Sequence, residues 1–146
     1  MTASADTDMA PAIDEDLQSR QMAVYGKESM LKLSGARVLI HGMNGLGAEI
    51  AKNVILANVK AVTLVDTKPV TIADLGAHFY LSEGDVTGKS RAHACVASLQ
   101  ELNPSCAVTA VDAMDENLVG GHTVVVCIDM SETDALRWNE FCRGRG

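Results

Sequence analysis

A short run of glycines and one acid carry the chemistry that is easiest to read in this chain. Gly42, Asn44, Gly45 and Gly47 follow the apolar run Val38-Leu39-Ile40, and Asp66 follows a second apolar run, Ala61 to Val65. A glycine turn that opens a helix can hold a phosphate, because a helix start leaves backbone N–H groups unpaired and carries partial positive charge. Glycine also lets the backbone turn tightly and come close to a ligand. An acid at the end of the second strand can bind ribose hydroxyls. The turn departs from G-x-G-x-x-G at one place, since Asn44 stands where the second glycine belongs. A side chain there projects to where the phosphate would approach, so nucleotide binding by this turn is left open.

The elements that must position these residues follow from periodicity. Val38 to Ile40 and Ala61 to Val65 read as strands, and Leu46, Ile50, Ala51, Val54 and Ile55 fall on one helical face between them. Upstream, Asp14, Glu15 and Asp16 suit the first turn of a helix, where acids oppose the dipole. Leu17, Met22, Val24, Tyr25, Met30, Leu31 and Leu33 continue the helical pattern, with a break at Gly26 and a stop at Gly35. Residues 1–13 are small and polar and read as a disordered arm before a domain at 14–146.

Past Asp66, Pro69 and its β-branched neighbours predict extended chain or turn. Asp74, Gly76, Phe79 and Tyr80 predict a loop folding back on the sheet. Lys89 to Leu102 is amphipathic, with Ala92, Cys95, Val96, Leu99 and Leu102 inward, and Asn103-Pro104 ends it. Cys106 to Val111 alternates as a strand, and Asp115 to Val119 suits a short helix. Thr123 to Ile128 is almost wholly apolar, as for a strand buried on both faces. Ser131 to Arg143 reads as a helix capped by Ser131, with Leu136, Trp138 and Phe141 as candidate contacts. Such alternation predicts an α/β fold, a Rossmann-like, doubly wound, mostly parallel sheet. The chain stops after a helix end with no strand to follow, so truncation at the C-terminal end of the domain is expected.

The chain has 146 residues, enough for one domain. It is 47% hydrophobic and 3% aromatic, so Ala, Val, Leu and Met must fill the core. A net charge of −7 argues against nucleic acid and anionic membrane as partners. No apolar run nears the ~18 residues of a membrane span, and the N-terminus has no signal-peptide pattern. Cys95, Cys106, Cys127 and Cys142 form no CxxC pair. Three of them lie in apolar patterns, which predicts buried reduced thiols in an intracellular protein.

Longer stretches carry a family likeness. QSRQMAVYGKESMLKLSGARVLIHGMNGLGAEIAKNVILANVKAVTLVD, then ADLGAHFYL, then GDVTGKSRAHACVASLQELNP resemble the ubiquitin-activating enzyme family, in its N-terminal adenylation half, the one usually called inactive. The resemblance covers about Asp14 to Gly146 and implies a ThiF-type adenylation domain. It implies an enzyme of two homologous halves. One binds ATP and Mg and adenylates the C-terminus of ubiquitin for transfer to a cysteine in a separate domain. The other half completes the assembly and helps to hold ubiquitin or a ubiquitin-like protein. The implied location is cytoplasm and nucleus. None of the four cysteines here is given the thioester role.

The resemblance also marks departures from an active half. Asn44 replaces a glycine, Lys68 replaces an acid, Asp74 replaces the asparagine and Ala77 replaces the arginine that contact phosphates, and Met130 replaces an asparagine. A carboxylate 4 Å from a phosphate charge is repelled by roughly 4 kcal/mol at an effective dielectric of ~20. Gly42, Asn44, Gly45, Gly47, Asp66 and Lys89, with Asp129 at the magnesium position, then read as remnants, and no ATP or metal is expected in this half. Lys89 and Asp129 would pair with local groups. Arg20 matches the arginine that reaches from the first helix to the triphosphate of the other half; otherwise it is an ordinary surface arginine. Two other classes remain as alternatives: a self-sufficient homodimeric adenylating enzyme for a ubiquitin-like or sulfur-carrier protein, and an NAD-binding dehydrogenase domain.

Overall fold

The computed structural model describes residues 16 and 18–145. The expected arm at 1–13, the acids Asp14 and Glu15, and Leu17 lie outside the described residues. Asp16 is described and exposed.

The first helical region is divided where glycine allows it. Helix α1 (Ser19–Tyr25) and helix α2 (Lys27–Gly35) meet at Gly26, whose φ of +78° is in the left-handed region that favours glycine. Strand β1 (Arg37–His41) follows, then helix α3 (Gly45–Leu56) and strand β2 (Ala61–Val65). After a loop with short 3-10 turns at Asp74–Gly76 and Glu83–Asp85 come helix α4 (Arg91–Leu102) and strand β3 (Ala107–Val111). Helix α5 (Glu116–Gly120), strand β4 (Val124–Cys127) and helix α6 (Glu132–Gly144) complete the described chain.

All strand pairs are parallel, in the order β3-β2-β1-β4. Parallel neighbours need crossovers, and helices on both faces supply the cover. On one face Val38, Ile40, Val62 and Leu64 pack with Ala48, Ala51 and Ile55 of α3 and with Ala92, Cys95 and Leu99 of α4. On the other, Leu39 and Val65 pack with Val119 of α5 and Trp138 of α6. The sheet is therefore doubly wound, as the alternation of elements predicts. Its order reverses between β1 and β4, and that crevice at the carboxyl ends of the strands is where open α/β sheets place their sites.

Several expectations need correction. Thr123 to Ile128 is not a strand buried on both faces: β4 pairs only with β1 among the described strands, and Val124 and Cys127 are exposed. Apolar content alone does not report how fully a strand is covered. Of the thiols, Cys95 and Cys106 are buried while Cys127 and Cys142 are exposed. Burial pushes the Cys95 and Cys106 thiols up to about 12 and about 11, which keeps them protonated and unreactive at neutral pH. Leu46 is exposed at the start of α3, and Leu136 is exposed on α6, whereas Trp138 is buried and meets Phe141 edge to face at 5.8 Å. Helix α4 starts at Arg91 rather than Lys89, because the Ser90 hydroxyl caps it by accepting the His93 N–H.

The glycines after β1 are required by close approach. A Cβ on Gly47 would lie 2.0 Å from the Gly42 carbonyl oxygen, and one on Gly42 would lie 2.2 Å from the Ile128 carbonyl oxygen. Backbone cannot move aside as a side chain can. Gly47→Ala is expected to lower unfolding stability by about 3 kcal/mol or more. Gly35→Ala, with open space around its site, should raise it by about 0.4–1 kcal/mol. Urea unfolding followed by Trp138 fluorescence checks both.

Candidate functional site

The glycine turn is occupied by its own chain. Asn44 is the N-cap of α3, and its side-chain oxygen accepts the Gly47 N–H at 3.1 Å. That bond uses one of the helix-start donors a phosphate would need. The loop after β2 covers the same edge. A Cβ on Gly45 would lie 2.4 Å from the carbonyl oxygen of Ala77, so this loop lies directly against the first residue of α3. Ala77 is thus present as a backbone acceptor beside the helix start, where an anion would want donors.

Asp66, at the end of β2, is buried and fully engaged. Its carboxylate accepts the Met43 N–H at 2.8 Å and the Lys68 N–H at 2.9 Å, and meets a terminal guanidinium nitrogen of Arg91 at 2.9 Å. Arg91 is the residue that sequence reading missed. It is the first residue of α4, 7% exposed, and its guanidinium also meets Asp74 at 3.2 Å and Asp129 at 3.4 Å. Two backbone bonds bring it there. Val70 N–H donates to the Lys89 carbonyl at 3.0 Å, and Arg91 N–H donates to the Lys68 carbonyl at 2.9 Å. These fasten the segment after β2 to the entrance of α4. A signal was present: Arg91 lies four residues before inward Cys95, on the apolar face of its helix, and a cation there needs an anion.

The remaining expected residues divide clearly. Lys68 reaches Asp129 with Nζ 2.6 Å from Oδ2, and Asp129 sits at the end of β4 with φ +55°. Lys89 does not join this group; it points outward to Asp85 at 3.2 Å. Gly42 is placed between β1 and the chain after β4. Met130 packs beside the Trp138 cluster. Arg20 is exposed on α1. Gly42, Asp66, Lys68 and Asp129, with His41 and Asp112, line a pocket of about 150 Å³ at the switch point.

Charge compensation is local. The Lys68 ammonium holds the Asp129 carboxyl below the usual range, with Arg91 adding to it. Burial alone would push Asp74 up, but bonds from the Thr71 hydroxyl and N–H, with Arg91, bring it below the ordinary value. Arg91 is driven the other way: burial lowers it, and Asp66, Asp74 and Asp129 outweigh that and raise it. Buried His78 is pushed down by burial.

The pH dependence has a definite sign. Depressed carboxyl groups stabilise the fold above their unfolded pKa of about 4, and that contribution is lost as pH falls through the folded values. Arg91→Met takes the one guanidinium partner from buried Asp66 and should cost about 3–5 kcal/mol at pH 7. The gap between Arg91→Met and the parent should narrow below about pH 4, as Asp74 and Asp129 protonate. Urea midpoints measured from pH 7 down to pH 3 read this directly.

Comparison with known proteins places this geometry in context. The ThiF family matches residues 18–142. Ubiquitin-activating enzyme E1 1 of Triticum aestivum is 50% identical over 135 residues, which is 91% of this chain and 13% of the relative. Ubiquitin-like modifier-activating enzyme 1 of Homo sapiens is 47% identical over 135 residues, 92% of this chain and 13% of the relative. The chain thus spans about one-eighth of the length of these curated relatives. In three dimensions it resembles the crystal structure of E. coli tRNA N6-threonylcarbamoyladenosine dehydratase, TcdA, in complex with AMP. The TM-score is 0.74 at 22% identity, over 92% of this chain and 58% of that one. At that identity the likeness speaks for the fold. With a family match across most of its length and half its residues shared with ubiquitin-activating enzymes, the chain belongs to the ThiF family.

Proposed function

We propose that this chain is the non-catalytic adenylation half of a ubiquitin-activating enzyme. The whole enzyme uses ATP and Mg to adenylate the C-terminus of ubiquitin or a ubiquitin-like protein, for transfer to a cysteine outside this chain. This half pairs with the catalytic half, forms part of the surface that holds ubiquitin, and supplies Arg20 to the triphosphate across the interface. It works in the cytoplasm and nucleus. The ~50% identity to ubiquitin-activating enzymes supports the enzyme class.

The observation that carries the non-catalytic reading is the set of bonds around Arg91. Its guanidinium is surrounded by Asp66, Asp74 and Asp129, the acids left at the end of the nucleotide-type crevice. Three features speak against ATP bound with Mg in this chain. The pocket of about 150 Å³ falls short of the roughly 300–1,000 Å³ of small-molecule sites. Asp66, which would take the ribose, already accepts two backbone N–H groups and Arg91. The helix start that would take a phosphate is capped by Asn44 and faced by the Ala77 carbonyl. No step of the reaction is assigned to this pocket.

Arg20 suits the role given to it because it is exposed on α1. A guanidinium brought from a neighbouring unit can bind two phosphate oxygens at once. Arg20→Ala in the full-length enzyme is expected to reduce ubiquitin adenylation by roughly a hundredfold, read by ATP–pyrophosphate exchange. Activity equal to the parent removes Arg20 from the account. Isothermal titration of this chain with ATP and Mg should show no micromolar binding. Micromolar binding contradicts the non-catalytic reading.

A further inference from the structure

We infer that His78 is the pin that holds the covering loop closed over the glycine turn, and that it holds only while its ring is uncharged. This goes beyond the non-catalytic reading and does not depend on Arg20. His78 directly follows Ala77, whose carbonyl lies against Gly45 at the start of α3. Of all the residues from Thr71 to Ser90, His78 alone is buried. It is 2% exposed, while its neighbour Phe79 is 87% exposed. Backbone bonds turn it inward: the Ala77 and His78 N–H groups both donate to the Asp74 carbonyl, at 3.0 and 2.9 Å. Whatever releases this one side chain also releases Ala77 from the helix start.

The bond made by the ring fixes its charge state. The Tyr80 N–H donates to His78 Nδ1 at 3.3 Å, so Nδ1 presents a lone pair and the ring proton sits on Nε2. Nε2 is buried beside the Met43 backbone without completing a hydrogen bond. A second proton can go only on Nδ1, where it would meet the Tyr80 N–H donor to donor. It would also add a cation beside buried Arg91. Three ionisable groups face the ring: Asp74 in the loop, Arg91 of α4, and Tyr80 edge to face at 6.4 Å. Burial, the largest effect, and Arg91 both oppose the charged ring; Asp74 favours it but is already paired with Arg91 and Thr71. In the open loop the ring meets water and titrates near its ordinary value of about 6.5. Closure is therefore complete above about pH 6.5 and weakens as pH falls, because the open form takes up the proton. Asp74 and Asp129, held below the ordinary carboxyl value of about 3.9, stay charged in that window.

The test is amide hydrogen exchange of this chain, followed by NMR at about pH 7.5 and about pH 5.5 and expressed as protection factors, which remove the intrinsic pH dependence. The His78 and Tyr80 amides report the loop. Both should be less protected than Leu64 in β2, because the loop opens without global unfolding. In the parent their protection should fall about fivefold or more at the lower pH. His78→Asn keeps an acceptor near the Nδ1 position and does not titrate, so its loop protection should be the same at both pH values. His78→Leu removes the acceptor and should lower loop protection at both. Ring nitrogen shifts of the parent at about pH 7.5 should show the Nε2–H tautomer. Trp138 emission verifies folding, and should His78→Asn not fold, His78→Gln takes its place. Loop protection in the parent that does not change with pH overturns the inference. So does an acid-induced fall that persists in His78→Asn, an Nδ1–H tautomer, or loop amides as protected as Leu64. None of these results touches Arg20 or the ATP titration, so the two readings fail separately.

Discussion

The buried pair of Asp66 and Arg91 is the interaction on which the rest of the site depends. Asp66 ends the second strand and is 6% exposed, so its charge must be met from within the protein. Two backbone N–H groups and one guanidinium meet it. Through Met43 it fixes the turn after β1, and through Lys68 it fixes the segment after β2. Through Arg91 it is linked to Asp74 in the covering loop and to Asp129 beyond β4. Four separate parts of the chain are thereby joined at one carboxylate, at the point where the sheet reverses its order. A buried ion pair of this kind adds little net stability over an apolar substitute, but losing one partner strands the other.

The scaffold around that pair is built for close approach. Glycines let the turn after β1 lie against the chain after β4 and against its own helix start. In a nucleotide-binding relative of such a fold, glycines of this type admit a phosphate. Here the space they create is taken by protein. Asn44 folds onto the helix start, and the Ala77 carbonyl lies against Gly45. The result is a nucleotide-type crevice whose acids are paired largely by the chain itself.

Much of the fold was legible in the sequence because it rests on short-range pattern. The break at Gly26, the strand Ala61 to Val65 and the cap Ser131 are consequences of local geometry. Strand position was not legible. Val124 to Cys127 is as apolar as a central strand, yet among the described strands it pairs only with β1. The site was legible in its acids, its glycines and Lys68, but not in Arg91. Lys89 pairs with the local acid Asp85, as expected of it, while Arg91 two residues later turns inward to Asp66. What decides between them is the pairing of the segment after Asp66 with the entrance of α4. That is a contact between distant stretches, and no local spacing encodes it.

The central claim is that the crevice is neutralised from within by the Asp66–Arg91 pair. A double-mutant cycle with Asp66→Asn and Arg91→Met, measured by urea unfolding at pH 7, tests it most directly. A coupling free energy of about 1.5–3 kcal/mol is the predicted result, because one change takes the guanidinium from buried Asp66 and the other takes from Arg91 its shortest carboxylate contact. Additive effects, with coupling near zero, would contradict the account.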